Sequence, residues 1–428
     1  MTAKRFLISF IFLFGTGLCL AQRDLKYYIE QAVDNSPLIK DSRNQSEAAR
    51  LEAERLKAFY TKAQVTVTAN YLFSPIISRD NGKSDLVLNP TGAEKYTGYD
   101  LAASNGGLYQ GLLNISQPLF NGVRYETAAQ QALIGAQINQ NNVLLTTHDL
   151  EKIITDQYIL CLQDYKQTQY LNNLIRIIDD QKNIVSKLVE NGIAKQSDLS
   201  LLNIEQKTQQ TALNTFNATY RRDLIDLRVL CGISDTSYQV LEDIDLQVQE
   251  DVGISRFAEK YRLDSLNLIA TQKAFELKYK PTVNAYANTG LNTVYAPTIP
   301  NRFGMSAGLS FTMLLFDGHQ HRINEKKTEI LIRSTQTYKS FFYNQNTVRK
   351  NRILTELKSV NERIALMEEQ LREYQTLLDF YRQELMRGQI SVINYVNTLK
   401  NIATLQRDYV LQQTNKQLLI NMYNYWNW

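Results

Sequence analysis

Proline is nearly missing from this 428-residue chain. There are seven, none between Gly122 and Lys280 and none after Pro300. A proline in a helix interior costs about 3 kcal/mol, so those gaps permit very long helices. Glycine is as sparse: from Gly318 to Trp428 the only other one is Gly388. After the first 21 residues no stretch approaches the roughly 18 to 20 apolar residues a membrane helix needs, which excludes spanning a bilayer by helices. Excess charge is missing too. The formal balance is +4, two of those charges sit in the leader, and nucleic-acid binding has no support. Beyond Cys19 there are two cysteines, Cys161 and Cys231, both inside helical patterns. Buried, reduced thiols are the plainer reading, and a bridge stays open.

Catalytic constellations are equally absent. The chain has no phosphate-cradling G-x-x-x-x-G-K-[ST] loop, no G-x-S-x-G and no zinc-type cysteine pairing. His319-Gln320-His321 opens a helical pattern, but helical residues two apart point away from each other. A solvated turn is the better reading than a metal site. No enzyme and no cofactor are expected.

The first 21 residues read as a secretory signal peptide. Lys4 and Arg5 form a basic start, Phe6 to Phe14 an apolar run, and Cys19-Leu20-Ala21 precedes a cut that leaves Gln22 first. A lipoprotein reading through Cys19 competes, but it needs a small residue where Leu18 stands.

What is present is a pair of turns, Leu119-Phe120-Asn121-Gly122 and Leu315-Phe316-Asp317-Gly318, 196 residues apart (318 − 122). Each ends a strand pattern and opens a long helical one. Gly192 and Gly388 break those helical patterns, also 196 apart (388 − 192). The common offset indicates an internal duplication. A first repeat spans 22–232, an acidic connector 233–253, and a second repeat 254–428.

Each repeat reads as helix, two strands, long helix and return helix. Asn35-Ser36-Pro37 breaks a first helix and restarts it at proline. Val65, Val67, Ala69, Tyr71 and Phe73 then alternate with more polar residues, which is strand spacing. A loop over 74–107 carries the turn signals Asn81-Gly82, Asn89-Pro90 and Thr91-Gly92, and a second strand follows at 109–119. The helical stretch 122–191 has a seam at Leu171, Leu174, Ile178, Gln181, Val185 and Leu188, with one polar member. Asn191-Gly192 ends it, and Ser197-Asp198 reads as the cap of the return helix. In the second repeat, strands at 281–295 and from 303 flank a short loop over 296–302. Leu357, Ile364, Leu371, Leu378 and Leu385 make a strict heptad stripe in the second long helix.

The last strand alternates most cleanly. Phe303, Met305, Ala307, Leu309, Phe311 and Met313 face one way, and Gly304, Ser306, Gly308, Ser310 and Thr312 the other. That is the lipid-out, lumen-in pattern of an outer-membrane barrel strand, with Val65 and Val67 on the lipid side of the first strand. Phe303, Tyr295 and Tyr71 suit interface positions. Four strands cannot close a barrel, because membrane barrels begin at about eight, and open edges in lipid leave backbone groups unsatisfied. If these strands lie in a membrane, copies must share one wall: two copies give eight strands with an interior filled by side chains, and three give twelve with room for a passage. The fold class is mostly α with a β-barrel part. A periplasmic coiled-coil adaptor or scaffold without a channel remains the alternative that the heptads alone allow.

The layout resembles the outer-membrane efflux proteins, the TolC family, over essentially the whole mature chain. The resemblance is carried by the paired L-F-x-G turns, Asn35-Ser36-Pro37-Leu38, Tyr158, Asn191-Gly192 with Ser197-Asp198-Leu199, and Leu230-Cys231-Gly232. It implies a homotrimer in the outer membrane of a Gram-negative bacterium, with a twelve-stranded barrel and a twelve-helix tunnel in the periplasm. It also implies a duct for tripartite efflux or type I secretion that contacts lipid, a periplasmic adaptor (a membrane fusion protein) and an inner-membrane pump. The adaptor would meet the hairpins bearing Asn191, Gly192, Arg387 and Gly388. In the family, aspartates six and nine residues after the second glycine ring the periplasmic mouth; here they are Asn394 and Asn397. Asp198 matches the family's first hairpin, but its usual basic partner is replaced by Gln389.

Overall fold

The computed structural model describes residues 24–87, 94–97 and 107–428. The leader, Cys19 and the turn signals Asn89-Pro90 and Thr91-Gly92 lie outside the described residues. In chain order come α1 (Leu25–Asn35), α2 (Pro37–Thr61), β1 (Gln64–Phe73), β2 (Ile76–Ser78), β3 (Asp85–Val87), β4 (Tyr96–Thr97), β5 (Gly107–Leu119), α3 (Gly122–Glu190) and α4 (Gln196–Leu230). After the connector follow α5 (Glu259–Glu276), β6 (Thr282–Thr293), β7 (Phe303–Thr312), α6 (Gln320–Met386) and α7 (Val392–Trp426).

The proline-free stretches become α3 and α6, of 69 and 67 residues. Their ends, at 190 and 386, lie 196 apart (386 − 190), as do the starts and ends of α4 and α7 (392 − 196, 426 − 230). The helix starts differ. The first turn holds Phe120 in the left-handed region (φ 58°), and α3 begins at Gly122. The second holds Gly318 and His319 there (φ 67° and 68°), which delays α6 to Gln320. Asp317 supports this second turn by accepting hydrogen bonds from the His321 backbone N–H at 2.9 Å and from the Tyr279 hydroxyl. The Tyr279 O–H bond holds the Asp317 carboxyl below its ordinary range.

Two smaller expectations are corrected. The 74–107 loop contains a three-stranded sheet in the order β3-β2-β4, and 296–301 is a 3-10 helix (Ala296–Asn301) rather than irregular loop. The connector has no regular structure from 233 to 252.

The described residues fall into two compact units. One holds those up to Ser36, Thr147–Val252 and Arg349–Asn427; the other holds Pro37–Thr146, Gly253–Val348 and Trp428. Each unit draws on both sequence repeats.

In the first unit the seam residues Leu171, Leu174, Ile178 and Val185 pack with Leu378 and Leu385 of α6, Leu202 and Leu213 of α4, and Val392, Tyr395, Val396 and Leu399 of α7. Gln181, the polar seam member, is 1% exposed, and its amide nitrogen lacks a hydrogen-bond partner. A second core gathers Tyr28, Ile154, Tyr158, Cys161, Tyr220, Leu224, Leu227 and Cys231. Both cysteines are free and buried, and burial pushes the Cys231 thiol up to about 12.

In the second unit, α2 and α3 approach through small residues. Ala53, Ala128, Ala129 and Ala136 are buried, and Ser46 Oγ donates to Ala136 O at 3.3 Å. A four-stranded antiparallel sheet in the order β1-β5-β6-β7 belongs to the same unit. Gln117 Nε2 ties it to α2 by donating to Thr61 O at 3.0 Å.

Candidate channel elements

Residues paired across an antiparallel ladder share a face of the sheet, so the register sorts every strand residue. One face carries Val65, Val67, Ala69 and Tyr71 of β1 with Tyr109, Leu113 and Ile115 of β5. It continues through Val283, Ala285, Ala287 and Leu291 of β6 to Phe303, Met305, Ala307, Leu309 and Phe311 of β7. The residues read as lipid-facing thus lie on one surface, with Val67 78%, Met305 85% and Leu309 73% exposed. Met313 lies one residue beyond β7. Large exposed apolar side chains in one patch mark a surface that meets lipid or protein.

Aromatic residues sit at both ends of that face. Tyr71 packs on Tyr109, ring centroids 5.0 Å apart, near Phe303, with Tyr295 just before the last loop. At the helix end are Phe311, Phe120 and Phe316, the last two 91% and 75% exposed. Phe303 and Phe311 are eight residues apart, about 27 Å along a strand. The sequence pattern marks Phe120, Leu315 and Phe316 only as turn residues; their exposure depends on the turn conformation, which the four-letter pattern does not reveal.

The helical hairpins end in the same way. At the first, Gly192 (φ 71°) donates to Val189 O at 3.0 Å and Ile193 to Leu188 O at 2.8 Å. At the second, Gly388 (φ 69°) donates to Leu385 O at 3.0 Å and Gln389 to Glu384 O at 2.9 Å. Both are left-handed glycine stops whose paired bonds satisfy carbonyls that the helix leaves open. The tips are neighbours, since a Cβ on Gly388 would lie 3.5 Å from Ile193 Cγ2. Asn191 Nδ2 donates to Lys187 O at 2.7 Å, and Arg387 is exposed.

The capping expectation shifts by two residues. Lys195 is the N-cap of α4, and Asp198, at the third helical position, accepts the Lys195 backbone N–H at 3.0 Å. Asp198 is half-buried, whereas Gln389, Asn394 and Asn397 are exposed. Asn394 and Asn397 lie three apart on α7, opposite the face that buries Val392, Tyr395, Val396 and Leu399. Lower on the hairpins Glu205, 2% exposed, joins α4 to α7: it accepts from Gln209 Nε2 at 2.7 Å and pairs with Lys400 Nζ at 3.4 Å.

The connector was legible only as acidic. Side chains of the helices hold it as though they were a neighbouring strand. Asn424 Nδ2 donates to Gln247 O at 2.9 Å while its Oδ1 accepts from Gln249 N at 3.0 Å. Asn427 donates to Glu250 O at 2.7 Å, Gln417 Oε1 accepts from Leu246 N, and the Tyr158 and Tyr220 hydroxyls donate to Glu242 O and Gln239 O. No periodicity announces such side-chain-to-backbone pairing.

One buried acid stands near this strap. Asp164 of α3 is 3% exposed and its Oδ2 has no hydrogen-bond partner. Burial first, and then the Asp223 carboxylate of α4, raise its carboxyl to about 7. The folded chain thus holds this proton more tightly than the unfolded chain. The resulting stability is fully present below about pH 4 and is lost as pH rises through about 7. Asp164→Asn should leave unfolding unchanged at pH 4 and stabilise the protein at pH 8 by on the order of 2 kcal/mol. Denaturation at both pH values checks this; an equal pH dependence in both proteins would overturn it.

Among the described residues no helix is long and apolar enough to cross a membrane, and no group of three or more His, Cys, Asp or Glu could hold a metal ion. No protein-family model and no curated protein matches the sequence. Solved structures do match. The outer membrane protein VceC from Vibrio cholerae aligns over 94% of this chain and 96% of its own, with TM-score 0.69 and 13% identity. The Campylobacter jejuni outer membrane channel CmeC aligns over 94% and 85%, with TM-score 0.67 and 11% identity. The open state of the Neisseria gonorrhoeae MtrE outer membrane channel aligns over 94% and 88%, with TM-score 0.67 and 12% identity. At these identities the likeness is one of fold: the chain has the fold of these outer-membrane channels, as the resemblance to the TolC family implied.

Proposed function

We propose that the protein is an outer-membrane channel, a passive duct that serves a tripartite efflux or type I secretion system. The observation that carries this reading is the two-faced, open sheet. Its exposed apolar face spans about the height of a bilayer between aromatic ends, and β1 and β7 pair on one side only among the described residues. A backbone edge in lipid costs several kcal/mol per unpaired group, so each edge needs a partner. Three copies joining β7 to the next β1 would close twelve strands. A periplasmic scaffold has no use for such a face.

In this reading the chain is a homotrimer of two-repeat subunits, 22–232 and 254–428, in the outer membrane with its helices in the periplasm. Val65, Val67, Phe303, Met305, Leu309, Phe311 and Met313 meet lipid. The L-F-x-G turns redirect the chain from wall to helix. Asn191, Gly192, Arg387 and Gly388 dock a periplasmic adaptor, which links the duct to an inner-membrane pump. Purified protein should conduct ions as trimers in a planar bilayer, and a soluble monomer that never conducts would sink the proposal.

The mouth at the hairpin tips would be lined by Asn394, Asn397, Asp198 and Gln389. An asparagine amide offers both donors and acceptors, so the closed mouth is held by uncharged contacts. Conductance should depend weakly on pH between about 4 and 7, and cation preference should be modest because only Asp198 remains. Replacing Asn394 and Asn397 together with Asp should raise cation selectivity and add divalent-cation block. Strong selectivity with that block in the unaltered channel would overturn this account.

A further inference from the structure

We infer that the polar face of the sheet forms a charge-free passage wall, lined by amides and hydroxyls, that admits polar solutes of either charge without preference for sign. This rests on the proposal that the sheets close into a barrel. The strands have 10, 13, 12 and 10 residues, and none of these 45 is Asp, Glu, Lys or Arg. A soluble or lumen-facing polar surface of this size ordinarily carries charges of both signs. Here the polarity is supplied by neutral groups alone.

The register arranges those groups in rows across the sheet. Thr66, Asn114, Asn288 and Ser306 form one continuous row. Its amides are anchored: Asn114 Nδ2 donates to Thr68 Oγ1 at 2.9 Å, and Ser306 Oγ donates to Asn288 Oδ1 at 2.8 Å. Asn70, Gln110 and Asn292 form a second row, with Gln110 Nε2 donating to Asn292 Oδ1 at 3.4 Å.

Between the two rows the wall recedes. Thr68, Leu112, Gly290 and Gly304 align there, and a Cβ on Gly304 would meet open space. Gly290 cannot carry a side chain, because a Cβ would come 2.1 Å from Gly111 O. On the far side of the first row the one bulky polar-face aromatic, Tyr286, covers Gly308. A Cβ there would lie 2.6 Å from the Tyr286 hydroxyl. The ring therefore occupies the space a neighbouring side chain would fill.

The electrostatic consequence follows from the groups present. Rings of like-charged side chains make a pore selective for the opposite sign. An asparagine offers a carbonyl to a cation and N–H groups to an anion, so neither sign is favoured by the wall. Charges beyond the strand ends act weakly at its middle, because the screening length is about 8 Å at physiological salt. Any charge preference of the whole duct then arises outside the barrel.

The test uses full-length protein reconstituted in bilayers, with N288C, S306C or M305C as reporters. The two native cysteines among the described residues, Cys161 and Cys231, are buried. Anionic and cationic methanethiosulfonates are applied, and each rate is divided by that reagent's rate with a free thiol. At N288C and S306C the corrected rates should agree within about threefold, and both should exceed those at lipid-facing M305C by tenfold or more. Adding N288D to S306C should favour the cationic reagent by roughly tenfold. Should one variant fail to assemble, the other reports the same row. A cationic or anionic preference above about threefold on the unaltered wall would overturn this inference while leaving the channel reading intact. Equal, slow labelling at all three positions would instead show that this face lines no water-filled passage, and both would fall.

Discussion

Arginine at Leu309 should stop the protein from assembling in the outer membrane. Leu309 is 73% exposed on the apolar face, six residues from Phe303 and two from Phe311. An arginine on the lipid face costs about 2–4 kcal/mol at the bilayer midplane and about 0–1 near the interfaces, so at this depth the cost is on the order of 1–3 kcal/mol, and the proposed trimer bears it three times. Ser310→Arg, one residue along, places the same charge on the polar face and should leave assembly largely intact. Membrane fractionation of the two variants, followed by native electrophoresis, gives the comparison. Equal assembly of both would mean that lipid does not contact the Leu309 face.

Replacing Gly192 or Gly388 with valine should abolish export while the proposed trimer still forms. Nothing lies within 4 Å of a Cβ at Gly192, and the nearest atom at Gly388 is 3.5 Å away, so steric clash is not the cause. The cause is the backbone. At φ 71° and 69° a β-branched residue is strained by roughly 1–2 kcal/mol, and the tip can relieve the strain by reopening its last turn. The two tips touch through Ile193, so reopening one displaces the other and the surface offered to an adaptor. Asparagine, which tolerates the left-handed region, should keep much of the activity. An export assay with a membrane-fraction trimer check decides the matter. Normal export by both valine variants would place docking elsewhere.

The outcome at particular residues shows what pattern reading reaches. Gly192 and Gly388 announced both hairpins, because only a glycine-type residue suits a left-handed stop after an uninterrupted helical period. The heptad stripe through Leu357, Ile364, Leu371, Leu378 and Leu385 announces a buried seam, and all of these are buried except Leu371, which is half-buried. Lys195 could not be read as the α4 cap, since lysine is no usual cap and its role there rests on Asp198 reaching back to its N–H. Phe120 and Phe316 read as turn letters, and only the differing turn conformations set their exposure.

What the sequence by itself determined is everything local and periodic: the long helices, the alternation of the strands, the stops and the 196-residue offset. These follow from backbone sterics and from which side chains prefer water, and both act within a few residues. Only the tertiary structure decided which residues share a face of the sheet, since Asn114 and Asn288 align through a ladder between distant segments. It alone decided that Asn424 and Asn427 would hold the connector, and that Asp164 would lie buried beside Asp223. Those outcomes depend on pairings 59 or more residues apart along the chain (223 − 164). No short-range preference encodes them, and they are set by the packing of the whole.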